Sequence, residues 1–338
     1  MKKVLIISAA AVLALVSCAK VQDVYTPEAQ EIAFQAVTTP NTKAAVDGAI
    51  FTSDNMKVTA YDATAGAVYF DATSFTKPSS TWTGGKYWPL TPATINFLAI
   101  ANANADNATD VTWGSNKADQ VTIVMNDNST AQRDLMFACG TGTVTQTSGQ
   151  ALSFPTNVPM TFYHAQSWIK FYVTAGNAAT AGGLTINSIT LNDVSCDGTF
   201  TVTHANWNKT KVQRDAAAPA GSLDGSVSGV WSAFSTNVDN IEVVKNAGWT
   251  FKVAGDDAED YFYGSLMVVP NQGIASFTIN YTLGGNTYNY TYTPTSSALA
   301  QATKYTYNIT ITLQEIVIAP TVNDWTEGGP TNITIPTV

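Results

Sequence analysis

Residues able to do chemistry are few in this chain, and their spacing argues against catalysis. The 338 residues include two histidines and three cysteines. His164 lies among aromatics in TFYHAQSW, and His204 lies in TVTHANW. Neither has a Cys, His or carboxylate at metal-ligand spacing, so each reads as a packed or surface histidine. G-x-S-x-G, H-E-x-x-H and the P-loop are all missing from the sequence. Asp256, Asp257, Glu259 and Asp260 offer the oxygen ligands calcium takes. They lack the alternating spacing of a calcium loop, and a solvated turn is the better reading. Asn126-Asp127-Asn128 reads the same way. Trp82, Trp113, Trp207, Trp231 and Trp249 could form a sugar-stacking surface, although tryptophan is largely buried on average. The expectation is no enzyme, no cofactor and no resident metal.

One cysteine stands where covalent chemistry is expected. Lys2 and Lys3 precede an apolar run from Val4 to Val16, broken only by Ser8, and Ser17 and Cys18 follow. The run is too short for a membrane span, which needs roughly 20 apolar residues, and suits an export signal. Leu15-Val16-Ser17-Cys18 resembles a bacterial lipoprotein box with Cys18 as the acylated residue. Each buried methylene contributes roughly 0.8 kcal/mol, and two chains hold a protein stably on a bilayer.

After a polar tether comes EIAFQAV, in which Ile32, Phe34 and Ala36 share one face. Alternation of this kind predicts a short strand with one apolar side. TTPNTKAAVDG follows, with Pro40 and Asn41 as turn residues. Lys43 is the only basic residue between Lys20 and Lys57, so a trypsin-like enzyme has one place to cut, ahead of Ala44.

The elements that would frame these residues are strands. Charged residues make up 12% of the chain, about half the usual share, while 45% are apolar. That composition excludes disorder, and the net charge of -9 disfavours nucleic acid as a partner. KVTAY, TINFLAIAN, VTIVM and DLMFACG read as strands of a first domain, the second of them apolar enough to be buried on both faces. Gly84-Gly85 and Gly284-Gly285 are predicted turns. LTINSITLNDV alternates at Leu184 and Ile186 and, after a shift, at Ile189 and Leu191. KYTYNITITL puts Tyr305, Tyr307, Ile309, Ile311 and Leu313 on one face, and EIVIAP is a strand ended by proline. Short strands separated by Gly, Asn and Pro argue for sandwiches. The expected organisation is a signal over 1–17 and a lipidated tether with the first strand over 18–43. A β-sandwich over 44–157 and a second over 158–338 complete it. Cys139 and Cys196 could pair in an oxidising compartment. Their spacing carries no disulfide framework, which favours two buried thiols.

These pieces, in this order, resemble the fimbrillin family, the Mfa-like and FimA-like subunits of type V pili. The resemblance rests on the box at Cys18, EIAFQAV with TTPNTKA, GGKYWP leading into INFLAIAN, RDLMFA, PMTFYHAQSWIKF, and YTYNITITL with VNDWTEGG. It implies an all-β fold of two transthyretin-like β-sandwich domains in tandem. It implies export as a lipoprotein to the outer membrane and cell surface, then incorporation into a fimbrium as a stalk or tip subunit serving adhesion. It also implies that a protease cuts after a basic residue, here Lys43, and removes the strand bearing Ile32, Phe34 and Ala36. The tail strand of another subunit, here about Thr331 to Ile335 with Ile333 and Ile335 on one face, would fill the vacated groove. Implied partners are other fimbrial subunits, membrane lipid through Cys18, the processing protease, and a host or bacterial surface ligand. The rival expectation is a monomeric surface lipoprotein that binds glycans.

Overall fold

A computed structural model describes residues 28–38, 56–77, 81–101, 111–113, 120–125, 134–177, 182–203, 230–232, 239–246, 249–250, 261–270, 272–295, 299–312 and 316–324. The strands of the first part of the chain are β1 (Glu31–Thr38), β2 (Met56–Asp62), β3 (Ala67–Phe75), β4 (Trp82–Tyr87), β5 (Ala93–Ala101), β6 (Val111–Trp113), β7 (Gln120–Met125), β8 (Met136–Gln146), β9 (Leu152–Ser153) and β10 (Val158–His164). Then follow β11 (Ser167–Ala175), β12 (Leu184–Val194), β13 (Gly198–Thr203), β14 (Val230–Ser232), β15 (Asp239–Glu242), β16 (Val244–Lys245), β17 (Phe262–Val268), β18 (Ser276–Leu283), β19 (Asn286–Tyr292), β20 (Thr303–Ile311) and β21 (Ile316–Asp324). The described residues are thus almost entirely strand and turn, an all-β protein as expected.

The first sheet runs β3-β2-β5-β8-β10-β1-β4, with β9 added to β8. Its two ends meet. Thr76 and Thr83 exchange main-chain hydrogen bonds of 2.9 Å, and the Tyr69 hydroxyl donates to the Tyr87 carbonyl at 2.8 Å. The sheet therefore closes around its own core, and closure removes edges that would otherwise invite pairing. Phe34, Phe75, Phe97, Trp82 and Trp88 are the large side chains of that core.

A second sheet, β14-β13-β7-β6, packs on the outer side of β5 and β8. This explains the unbroken apolar run in TINFLAIAN. Ile95, Phe97, Ala99 and Ala101 face the enclosed core, while Leu98 and Ile100 join Phe137, Cys139, Val121, Ile123 and Phe200 beneath the second sheet. A strand covered on both faces has no reason to alternate. Cys139 and Cys196 are both buried, in separate core clusters, in accord with the reading as buried thiols.

The remaining strands form a two-layer sandwich, with β16-β17-β11-β20-β21 facing β15-β12-β18-β19. Here alternation is clean. In β20, Tyr305, Tyr307, Ile309 and Ile311 point into the core, and the residues between them are half-exposed. The phase shift in LTINSITL is a bulge between Ile186 and Ser188 against β18, which restores Ile189 and Leu191 to the inner face.

Three expectations need correction. The boundary near residue 157 does not separate the sheets. β10 begins at Val158 yet pairs with β1 and β8, and β13 pairs with β7 over Gly198–Thr203. β13 and β14 extend the sheet of β7 and β6 that covers the outer face of β5 and β8. Gly84 and Gly85 are not a turn; both lie within β4. A Cβ at Gly84 would come within 2.9 Å of the Phe75 ring, and Gly85, with a φ of +64°, lies in a bulge of β4 that faces Ile32. Pro320 does not end a strand either, since β21 runs through it to Asp324. β21 is an edge strand, where the missing N–H of proline costs no ladder bond.

Between β10 and β11 lie only Ala165 and Gln166, both fully buried. The Gln166 side-chain carbonyl accepts from the Leu135 N–H at 2.9 Å, and its amide lies 3.7 Å from the Met125 sulfur. Its main-chain carbonyl accepts from Ala302 at 2.9 Å. The Trp231 indole donates to the Ala165 carbonyl. One residue thus ties the starts of β8 and β20 and the end of β7 together.

The sandwich core makes a stability prediction. Tyr263, 1% exposed, has its phenol pushed up to about 12, first by burial and then by Glu242. A raised folded-state value favours the neutral phenol. Its contribution is therefore intact below the ordinary value of 10.0 and is lost as pH rises towards about 12. Urea midpoints should fall between pH 10 and 12, and less steeply for Tyr263→Phe.

Candidate functional site

The candidate site is the position of β1, which the closed sheet holds between two strands distant in sequence. On one side β1 runs parallel to β10, with Phe34 opposite Val158 and Ala36 opposite Met160. On the other it is antiparallel to β4, with Glu31 opposite Tyr87 and Phe34 opposite Trp82. The strand is internal to the sheet order, engaging β4 along Glu31–Phe34 and β10 along Phe34–Thr38.

Its apolar face is built as the alternation predicts. Ile32 and Phe34 are fully buried, Ala33 is half-buried and Gln35 is exposed. The Phe34 ring meets Phe75 and Phe97 edge-on, with centroids 4.9 and 5.0 Å away. Burying each such side chain contributes about 1.5–3 kcal/mol, and each edge-on aromatic pair adds about 0.5–1.5 kcal/mol. The Ala36 main chain is in register, and its side chain lies outside the described residues.

The start of β1 is fastened by polar contacts. The Gly85 N–H donates to the Glu31 carboxylate at 2.8 Å, and the Trp88 N–H donates to the Gln30 carbonyl at 2.9 Å. The Gln30 amide donates to the Pro155 carbonyl at 3.3 Å. Apart from the Gln30 and Glu31 side chains at its mouth and the buried Trp82 and Trp88 indoles, the seat presents an apolar interior and main-chain hydrogen bonds.

Several residues singled out in the sequence lie elsewhere. Cys18, Lys43, Ala44, Ile333, Ile335, His204, Trp207 and the acidic stretches at 126–128 and 256–260 lie outside the described residues. His164 is buried at the end of β10, with Nδ1 2.7 Å from an Asp134 carboxylate oxygen. That contact ties β10 to the segment leading into β8. Among the described residues, no group of three or more His, Cys, Asp or Glu could hold a metal ion. Trp82 and Trp231 are core residues at 1% and 5% exposure, and Trp249 is half-buried. The side chain of Trp113 is outside the described residues. The proposed aromatic platform for glycans therefore loses Trp82 and Trp231 to the interior.

Sequence reasoning missed the walls of the seat. Phe97 comes from a strand it recognised but could not place around β1, and Phe75 and Trp82 come from β3 and β4, of whose local structure it marked only the glycine pair at 84–85. Met160 and Phe162 alternate visibly in PMTFYHAQ, yet parallel pairing with β1 leaves no local mark in a sequence.

Fold and site define a multi-sheet β protein whose first described strand fills an internal position of a closed sheet. A sequence profile of the fimbrillin-like family matches residues 42–325, and the chain belongs to that family. No curated protein matches it in sequence. A fimbrial protein from Bacteroides vulgatus ATCC 8482 is similar in structure, with a TM-score of 0.52 and 16% identity over 88% of this chain and 99% of that one. So is a candidate cell adhesion protein from Bacteroides ovatus ATCC 8483, with a TM-score of 0.53 and 14% identity over 89% of this chain and 99% of the other. At these identities the likeness concerns the fold.

Truncating the anchor of β1 tests the seat. Phe34→Ala should destabilise the chain by about 3–5 kcal/mol, read as a lower urea midpoint and faster hydrogen exchange in β1. Gln35→Ala, on the exposed face of the same strand, should change stability by no more than about 0.5 kcal/mol.

Proposed function

We propose that the chain is a structural subunit, stalk or tip, of a type V fimbria assembled by protease-triggered strand exchange and serving cell adhesion. The observation that carries this reading is the seat of β1. The first described strand is internal to its sheet and lies ahead of the matched family region, which begins at residue 42. Cleavage after Lys43 would release β1 and leave β4 and β10 with unpaired main-chain groups flanking an apolar slot. Buried polar groups without partners cost about 1–3 kcal/mol each, so the vacated slot favours any chain that can replace both the hydrogen bonds and the side chains.

The tail has the right period. Ile333 and Ile335 repeat the two-residue spacing of Ile32 and Phe34. An incoming strand with that spacing presents both side chains to one face while its main chain completes the ladder. The partners are other fimbrial subunits. Before assembly the chain is held at the outer membrane by lipid on Cys18, facing the cell surface, and processing frees it from that anchor.

Trypsin-like digestion of the purified chain is expected to give a new N-terminus at Ala44 and concentration-dependent polymers. Lys43→Gln should prevent both. Deleting residues 331–338 should leave cleavage intact and abolish the polymers. A cleaved chain that retains β1, or stays monomeric at high concentration, would overturn the mechanism.

A further inference from the structure

We propose that β19 is a docking strand for a second copy of this chain, paired antiparallel to its twin about a two-fold axis through Asn289. The sequence of the strand carries the first argument. Thr287-Tyr288-Asn289-Tyr290-Thr291 reads the same in both directions. Paired about Asn289, it sets Asn289 against Asn289, each Tyr288 against a Tyr290 and each Thr287 against a Thr291. A two-fold contact needs a surface complementary to itself, and a palindromic strand supplies one.

Among the described residues the edge is also open and unprotected. β19 ends its sheet, pairs with β18 over seven consecutive residues without a bulge, and holds neither charge nor proline. Its residues from Asn286 to Asn289 are exposed, as is Thr291. Natural edges are usually blunted by charge, proline, bulges or brevity. The other described edges of the two-layer sandwich follow that rule. β21 contains Pro320 and Asp324, β15 contains Asp239 and Glu242, and β16 is a two-residue strand with Lys245.

Hydrogen-bond parity fits the same axis. Gly284 and Gly285 form a two-residue turn with φ of +60° and +84°, so Leu283 and Asn286 are a hydrogen-bonded pair. Counting onward, Thr287, Asn289 and Thr291 direct their N–H and C=O groups away from β18. Those are the three positions a twin strand centred on Asn289 engages, giving about six main-chain hydrogen bonds. Side chains continue the pattern. The Asn187 amide donates to the Asn280 carbonyl, and the Asn280 amide donates to Asn289 at 2.7 Å. That relay stops at the edge with the Asn289 NH2 still to donate. A twin Asn289 offers the remaining lone pair of its side-chain carbonyl.

This pairing is independent of strand exchange, and the uncleaved chain tests it. The full chain with Cys18→Ala, so that no lipid contributes, should sediment as a dimer at micromolar concentration. Asn289→Lys and Asn289→Asp each place like charges opposite one another at the axis, which is destabilising. Each alone should raise the dimer dissociation constant at least about tenfold. An equimolar mixture sets Lys against Asp and should restore the dimer, which also shows that both variants fold. A wild-type chain that is monomeric throughout, an Asn289→Lys chain that still dimerises, or a mixture that stays monomeric would each overturn the proposal.

Discussion

An internal strand of a closed sheet cannot be left out, and the N-terminal half of this molecule depends on that constraint. Without β1, β4 and β10 would each expose a row of main-chain donors and acceptors, and the rings of Phe75 and Phe97 would border an empty channel. A mobile side chain cannot fill such a gap, because the gap demands hydrogen bonds at a fixed repeat as well as hydrocarbon. The only group that meets both needs is another extended chain with the same period. The position is therefore specific for strands and indifferent to much else, which suits an assembly interface better than a catalytic one.

The second constraint is that β5 and β8 are covered twice. One face closes the core around Phe97, and the other carries Leu98, Ile100 and Phe137 beneath the β14-β13-β7-β6 sheet. Two of those covering strands come from beyond β12, so the N-terminal core is complete only once the later chain has returned to it. Later strands complete the packing of the earlier half, so the two halves are not beads on a linker.

Much of this was legible, and what was missed has physical causes. Period-two alternation disclosed β1, β12 and β20, including the register slip that became the bulge beside Asn187. The unbroken run from Ile95 to Ala101 disclosed burial on both sides. Gly284-Gly285 disclosed a hairpin, yet Gly84-Gly85 gave the same signal and lies inside a strand. Glycine pairs report a need for freedom or for space, and the Phe75 ring that demands the space is invisible locally. Pairing between distant strands was the larger gap. Nothing in PMTFYH marks it as the parallel neighbour of EIAFQA, and nothing in GTFTVT marks it as the partner of VTIVM. The walls of the β1 seat, being long-range, were hidden for that reason.

The two buried residues joining β10 to β11 have a mechanical consequence. Gln166 is clasped by Leu135 and Ala302 through hydrogen bonds and sits against Met125, fully buried. Separating the elements that meet at this joint would require breaking several contacts at one residue. A filament made of these units would bend at the contacts between neighbours while each unit stayed stiff. Its flexibility would then be set by how many units it contains.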